Sequence, residues 1–378
     1  MKKLGIVSRE KITLHESIYW LVFFLTAFGL LMSFSTTSTT YFTSGNPHPL
    51  NDFAKQGLFA IAGFFLIGLI RRLPLRLWKK WALPYYLFTC ALLVLVLIPP
   101  FYLKGIYNES GEAARRWLNL GFFSFQPSEL VKLGVILVIA RVAEAKKGKI
   151  NGPTFFKLLV LVFIPTLLIY FQPNFSTASI VLLLGASAMI VAATPISYFI
   201  LSSIPLVLLG IVAFFRSDRL MNRIASYQNV FKDPSNTGYQ VLQSYIAIAR
   251  GGWFGQGLQR SSQKFYSLPE AETDFIFSII CEEFGFLLAL LLVLMYFGLF
   301  YLALRVSLKA KESFHVILAG MIGIHLFLQA MMHVAVTLGL LPPTGIPLPF
   351  VSIGGTALVI YLVEAGILIR IAQSIEDA

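Results

Sequence analysis

Charge is what this sequence has least of. Asp, Glu, Lys and Arg make up 13% of its 378 residues while 57% are hydrophobic, against roughly 25% and 45–50% in ordinary soluble domains. A soluble globular reading is excluded, because so much apolar surface needs lipid. Acidic residues are scarcer still, 18 against 30 basic ones, for a formal net charge of +12. The Lys and Arg residues fall in short breaks between apolar blocks rather than along one amphipathic face. Their excess therefore reads as a determinant of membrane orientation, and nucleic acid is excluded as a partner. Cysteine is nearly absent. Cys90 and Cys281 lie far apart inside apolar blocks, which excludes a disulfide framework and a thiolate metal site. No small-residue cleavage site follows the basic start, Met1–Lys11, so the first apolar block is expected to be a retained span. No internal repeat or low-complexity tract stands out.

What is present is a succession of apolar blocks, each long enough for a helix to cross about 30 Å of hydrocarbon. They predict ten spans in one all-α domain covering 1–378: Ser17–Phe34, Phe53–Ile70, Leu83–Leu103, Glu129–Ala143, Phe155–Phe171, Thr177–Ala193, Ile196–Phe215, Phe275–Leu304, Phe314–Leu338 and Val351–Ala372. With both termini inside, the cytoplasmic breaks hold the basic clusters Lys2–Lys11, Arg71–Lys80, Arg141–Lys149 and Arg305–Lys311, as orientation by positive charge requires. One extracytoplasmic loop, Arg216–Asp274 between the seventh and eighth spans, is far longer than an ordinary connection. Tyr227, Phe231, Tyr239, Trp253, Phe254, Phe265 and Tyr266 are interleaved through it with glycine and basic residues. That composition predicts an ordered loop folded back on the bundle.

Three segments carry the residues from which chemistry can be built. In Leu268–Gly285, carboxylates bracket the start of the eighth span. Thr273 or Asp274 suits a helix cap, but capping leaves Glu270 and Glu272 at the same interface unexplained, along with Glu282 and Glu283 inside the span, where charge is costly. Two adjacent carboxylates cannot both face one cavity, so a structural network suits that pair. In Ala114–Lys132, Glu129 and Lys132 share a helix face and can neutralise each other. Alternatively, Arg115, Arg116 and Lys132 form a cationic pocket for a phosphate or pyrophosphate. The third segment, Gly339–Gly355, contains Pro342, Pro343, Pro347 and Pro349, which preclude a regular helix and predict a rigid turn lining a cavity. A shorter turn, Gln172–Thr177, offers Ser176 or Thr177 as a cap for the sixth span. His325, Gln329 and His333 share one face of the ninth, where packing is the plainer role. Polar segments opening on an apolar bundle suit a substrate that is part lipid and part polar.

Together these segments resemble the SEDS family (shape, elongation, division and sporulation) of polytopic peptidoglycan polymerases, over nearly the whole chain. The resemblance rests on Arg116-Trp117, Gln126-Pro-Ser-Glu129 with Lys132, Gly238-Tyr-Gln, Gly251-Gly-Trp-Phe-Gly-Gln-Gly257, Gln263-Lys264, Leu268-Pro-Glu270, Thr273-Asp-Phe-Ile-Phe277, Glu282-Glu283, and Pro347-Leu-Pro-Phe350 with Ser352 and Gly354-Gly355. Gly238-Tyr-Gln, Trp253 and Ser262-Gln-Lys-Phe are closer to the division branch than to the elongation branch.

The resemblance implies a glycosyltransferase of the bacterial cytoplasmic membrane that polymerises lipid II on the outer face. It implies Asp274 as catalytic base. Arg116, Lys132, Glu129, Gln263 and Lys264 would bind substrate or pyrophosphate, with Glu270, Glu272, Thr273, Glu282, Glu283 and Ser352 in support. It further implies a class B penicillin-binding transpeptidase and other division or elongation membrane proteins as partners. It fixes no cofactor and leaves a divalent cation, Mg or Mn, as the open candidate. The alternatives are a lipid II flippase and a non-catalytic division scaffold. Asn174 and Ser176 stand where the family usually has Asp and often has Gly, Glu272 where His is frequent, and Ile353 where Tyr is common. Glu272 is expected to raise the pKa of Asp274 by repulsion.

Overall fold

The computed structural model describes residues 13–44, 51–98, 116–119, 124–146, 150–198, 200, 238–266 and 268–377. Its helices are α1 (Leu14–Ser44), α2 (Asn51–Ile70), α3 (Arg76–Leu95), α4 (Pro127–Ala145), α5 (Gly152–Tyr170), α6 (Phe175–Val191), α7 (Tyr239–Gly251), α8 (Gln263–Tyr266), α9 (Ile276–Lys309), α10 (Ser313–Thr337) and α11 (Gly355–Glu376). Strands β1 (Leu118–Asn119) and β2 (Ser124–Phe125) pair antiparallel, Leu118 opposite Phe125. Among the described residues, six helices (α1, α2, α5, α9, α10 and α11) are long and apolar enough to cross a membrane. Basic residues dilute α3 and α4, which carry Arg76, Lys79 and Lys80, and Lys132 and Arg141; α6 is a shorter apolar helix. The expected span Ile196–Phe215 lies mostly outside the described residues, as do Arg115 and the loop from Arg216 to Thr237.

Helices α4, α10 and α11 form the centre and are the most deeply buried. Helix α4 packs on α3, α10 and α6, while α11 packs on α2 and α1. Lys79 bridges to Glu144, and Leu14 N and His15 reach Glu376, so the start of α1, the start of α3 and the ends of α4 and α11 share one end of the bundle. The starts of α4, α9 and α11 and the end of α10 share the other, where the polar segments gather.

Helix α9 has 34 residues, about 51 Å at the α-helical rise and well beyond about 30 Å of hydrocarbon. Its first turns are buried from Ile276 to Glu283, whereas Phe286, Leu287, Leu290, Leu291 and Leu294 are exposed. The change falls at Gly285, whose φ of 79° interrupts the helix. Residues 252–257 fill the break. Gln256 N and Gly257 N donate to Glu282 O and Glu283 O at 2.9 Å each, and Phe286 N and Leu287 N donate to Gly252 O and Trp253 O at 2.9 and 3.3 Å. The four backbone groups that the break orphans are thus paired again, as buried backbone requires. Trp253 and Phe254 are left exposed at the level where the apolar face of α9 begins.

Two expected caps are corrected. The residue before α9 is Phe275, with no side-chain cap, because Asp274 N and Phe275 N are already turned onto Glu270 O at 3.0 and 3.3 Å. Helix α6 is capped by Asn174, whose side chain accepts from Thr177 N at 3.4 Å. The last helix begins at Gly355 rather than Val351, since the preceding residues form a turn.

Replacing Gly285 with Ala tests the splice. The new Cβ would lie 2.4 Å from Gly255 N and 2.6 Å from the Phe254 backbone, at a positive φ. Gly285→Ala should cost more than about 2 kcal/mol, read as a lower melting temperature of the purified protein. Gly68→Ala, whose Cβ meets nothing within 4 Å, should leave it unchanged.

Candidate active site

The proline-rich stretch after α10 is a turn pinned from both sides. His333 Nδ1 donates to Ile346 O at 2.7 Å and Gln329 Nε2 donates to Pro347 O at 3.4 Å, which fastens it to α10. Ser352 Oγ accepts from Leu348 N at 2.8 Å and donates to Thr273 O at 2.7 Å, and Ile353 N donates to Glu272 O at 3.1 Å. Gln56 of α2 clamps the same turn, donating to Ser352 O and accepting from Gly354 N at 3.2 Å each. Residues 272–274 are thereby held against 345–353.

Asp274 faces this turn. A Cβ built on Gly345 would meet only its carboxylate, at 3.2 Å from Oδ2, and open space otherwise. Gly345 is exposed and holds φ 68°. Nearby, two buried polar atoms, His333 Nε2 and Thr344 Oγ1, lack a partner among the described residues. Glu270 and Thr273 are paired, Thr273 Oγ1 donating to Glu270 Oε2 at 3.0 Å. Burial, with the Asp52 and Glu270 carboxylates, raises the Glu272 carboxyl above its ordinary value, which opposes the negative charge that the sequence places beside Asp274.

Lys132 and Glu129, near the start of α4, pair at 2.7 Å with both side chains buried. The ammonium also donates to Gln329 Oε1 at 2.9 Å and lies 5.6 Å from the Tyr361 ring, whose hydroxyl donates to Glu129 at 3.3 Å. Arg116, placed by the small β1–β2 ribbon, donates through Nη2 to Pro173 O.

Glu282 and Glu283 point to different partners, both in 261–264. Glu282 accepts from the Ser261 hydroxyl, from Ser262 N and Oγ at 3.1 Å each, and from Gln263 N at 3.4 Å. Glu283 pairs with Lys264 at 2.6 Å, and Ser35 of α1 donates to it at 2.8 Å. Lys264 also donates to Ser35 O at 3.2 Å. The Gln263 amide oxygen is buried without a partner among the described residues. Lys264 is thus turned inward.

Residue spacing did not reveal Glu364 of α11, buried against His325 at 2.8 Å. Its signal was a carboxylate in the middle of an apolar block. Ser35 and Ser261 carried no comparable signal. Among the described residues no group of three or more His, Cys, Asp or Glu side chains is placed to hold a metal ion.

A family model described as "Cell cycle protein", FTSW_RODA_SPOVE, matches residues 16–377. The chain is 36% identical over 360 residues to a protein of Geobacter sp. (strain M18) named "Probable peptidoglycan glycosyltransferase FtsW", covering 94% of this chain and 95% of that one. It is 35% identical over 328 residues to "Stage V sporulation protein E" of Bacillus subtilis (strain 168), covering 85% and 87%. Among solved structures, a chain from work on a peptidoglycan synthase complex that coordinates polymerization and crosslinking superposes with TM-score 0.75 at 24% identity, covering 96% and 98%. The Thermus thermophilus rod shape determining protein RodA superposes with TM-score 0.65 at 24% identity, covering 94% and 96%.

Two measurements probe the electrostatics. Lys264→Met strands a buried carboxylate and should cost about 3–5 kcal/mol, whereas Lys264→Met with Glu283→Gln should recover most of the loss in thermal unfolding. Glu272→Gln should melt higher than wild type at neutral pH. The native state holds the Glu272 proton more tightly than the unfolded chain, so ionisation weakens the fold as pH rises. The difference should vanish below about pH 4, where both states are protonated.

Proposed function

Because the chain belongs to the FtsW/RodA/SpoVE family, we propose that it is a peptidoglycan glycosyltransferase of cell division that polymerises lipid II from the membrane. The observation that carries the reading is the Asp274 carboxylate, set against the 345–353 turn on the open side of Gly345. The bundle is a multi-pass membrane protein. We read it as ten spans with both termini cytoplasmic, the six apolar helices being joined by α3, α4, α6 and the segment around Ile196–Phe215. That topology puts Asp274 at the extracytoplasmic face.

In this reading Asp274 is the general base. It takes the proton from the acceptor sugar's 4-hydroxyl as that oxygen attacks the anomeric carbon of the donor, and the bond to the pyrophosphate breaks with inversion. General base catalysis supplies about 10²–10⁴-fold. Arg116 and Lys132 offset the charge growing on the leaving pyrophosphate. Lys132 reaches it by giving up its bond to Glu129, so Glu129 holds the ammonium until substrate takes its place. The Gln263 amide oxygen and the Thr344 hydroxyl, which have no partner among the described residues, suit sugar hydroxyls. Lys264, Glu282, Glu283, Glu270, Thr273 and Ser352 hold the frame. The described carboxylates do not form a cage for a divalent cation. We extend the reading to a class B penicillin-binding transpeptidase as partner, supported by the fold shared with a chain of a peptidoglycan synthase complex.

Asp274→Asn should insert, fold and melt as wild type while polymerisation of lipid II by the purified protein falls by about 10²–10⁴-fold. Retained polymerisation would remove the base. Movement of labelled lipid II across liposomes without polymer would make the chain a transporter, and neither activity would leave a scaffold.

A further inference from the structure

Gln329, on α10, has every hydrogen-bonding position of its amide occupied. Its Oε1 accepts from Lys132 Nζ at 2.9 Å and faces His325 Nε2 at 3.1 Å, while its Nε2 donates to the Tyr361 hydroxyl and to Pro347 O at 3.4 Å. An ammonium only donates, so the atom beside Lys132 is the oxygen, and the imidazole nitrogen facing that same oxygen carries a proton. The other ring nitrogen, Nδ1, lies 2.9 and 2.8 Å from the two oxygens of Glu364. Neither side chain of this pair has any exposed surface.

Glu364 and His325 touch no sugar or phosphate position in the mechanism above, yet charge in this setting is costly unless it is compensated. One proton shared between Nδ1 and the carboxylate leaves the pair neutral whichever side holds it, as Lys132 and Glu129 are neutral together. The carboxylate also fixes which nitrogen presents a proton to Gln329. A lone imidazole can place its one proton on Nδ1 and make Nε2 an acceptor. Two acceptors would then oppose each other at Gln329, favouring rotation of its amide. Rotation puts the NH₂ against the Lys132 ammonium and the carbonyl against Pro347 O. Both contacts are repulsive.

We propose that Glu364 and His325 are positioning residues that act through the Gln329 amide, holding Lys132 on one side and the Pro347 turn, with Asp274 against it, on the other. The inference rests on the reading of Lys132 and Asp274 as glycosyl-transfer residues. It adds that one amide links the leaving-group cation to the turn beside the base, with its orientation fixed by a buried proton.

The test is lipid II polymerisation by the purified full-length protein, with kcat and KM measured separately. Glu364→Gln and His325→Gln should each lower kcat about tenfold, as loss of an orienting outer partner does, and leave KM unchanged. Glu364→Asp should restore part of the loss. Gln329→Leu should be at least as damaging, and adding His325→Gln to it should cost nothing further, because the effect passes through the missing amide. Wild-type kcat in both single variants, or losses that multiply in the double variant, would overturn the proposal. Where a variant fails to fold, ¹⁵N spectra of histidine-labelled wild type decide, and an unprotonated His325 Nε2 overturns it. A wild type that makes no polymer sinks the glycosyltransferase reading, whereas a polymerising wild type with unaltered Glu364→Gln and His325→Gln variants sinks only this inference.

Discussion

The arrangement of this protein turns on how one short non-helical turn, from Gly345 to Ile353, is held inside a helical bundle. Proline removes backbone donors and blocks a regular helix, so the turn's remaining carbonyls must find partners elsewhere. They find them on α10, where His333 takes Ile346 O and Gln329 takes Pro347 O. The other edge is tied to 272–274 through Ser352 and Ile353. Because both edges are fastened, the position of Asp274 is a property of α10 as much as of its own segment. A side chain at the mouth of the bundle is thereby registered against residues in its interior.

The same logic governs the buried charges. Lys132 with Glu129, Lys264 with Glu283 and His325 with Glu364 are three pairs in which each partner makes the other tolerable. Breaking one leaves an uncompensated charge, which is far costlier than the pair is stabilising. The paired ions also join elements distant in sequence: α4 and α10 meet where Lys132 donates to Gln329, α1, α8 and α9 meet through Lys264, and α10 and α11 through His325. Ionic pairing therefore supplies lateral register that interchangeable apolar side chains cannot, since Leu against Leu fits nearly as well one turn higher or lower.

That difference explains what was readable in one dimension. Apolar blocks of the length of a span are visible directly, and nine of the ten expected spans correspond to helices among the described residues. The i,i+3 spacing of Glu129 and Lys132 made their pairing legible too. Partnerships between helices were hidden: nothing in the spacing of Ser35 and Glu283, or of His325 and Glu364, says that they meet. Helix caps were misread for the same reason, since Glu270 O competes for the amides at Asp274 and Phe275, and only the folded turn reveals the competitor. Asp274 was singled out by the family resemblance, whereas its place against Gly345 was not readable from spacing.

The break at Gly285 connects these levels. By ending the regular helix where its exposed apolar face begins, it admits residues 252–257 into the backbone pairing of α9. The chain from Ser261 to Lys264 then arrives beside Glu282 and Glu283. The first turns of α9, above the break, are freed from packing against lipid and can be lined by buried polar groups. A straight apolar helix of the same length could cross the membrane equally well, but it would leave the loop with no backbone to join. The polar half of the site thus depends on a glycine whose φ of 79° is compatible with the chain's course only because a second segment supplies the hydrogen bonds that the helix gives up.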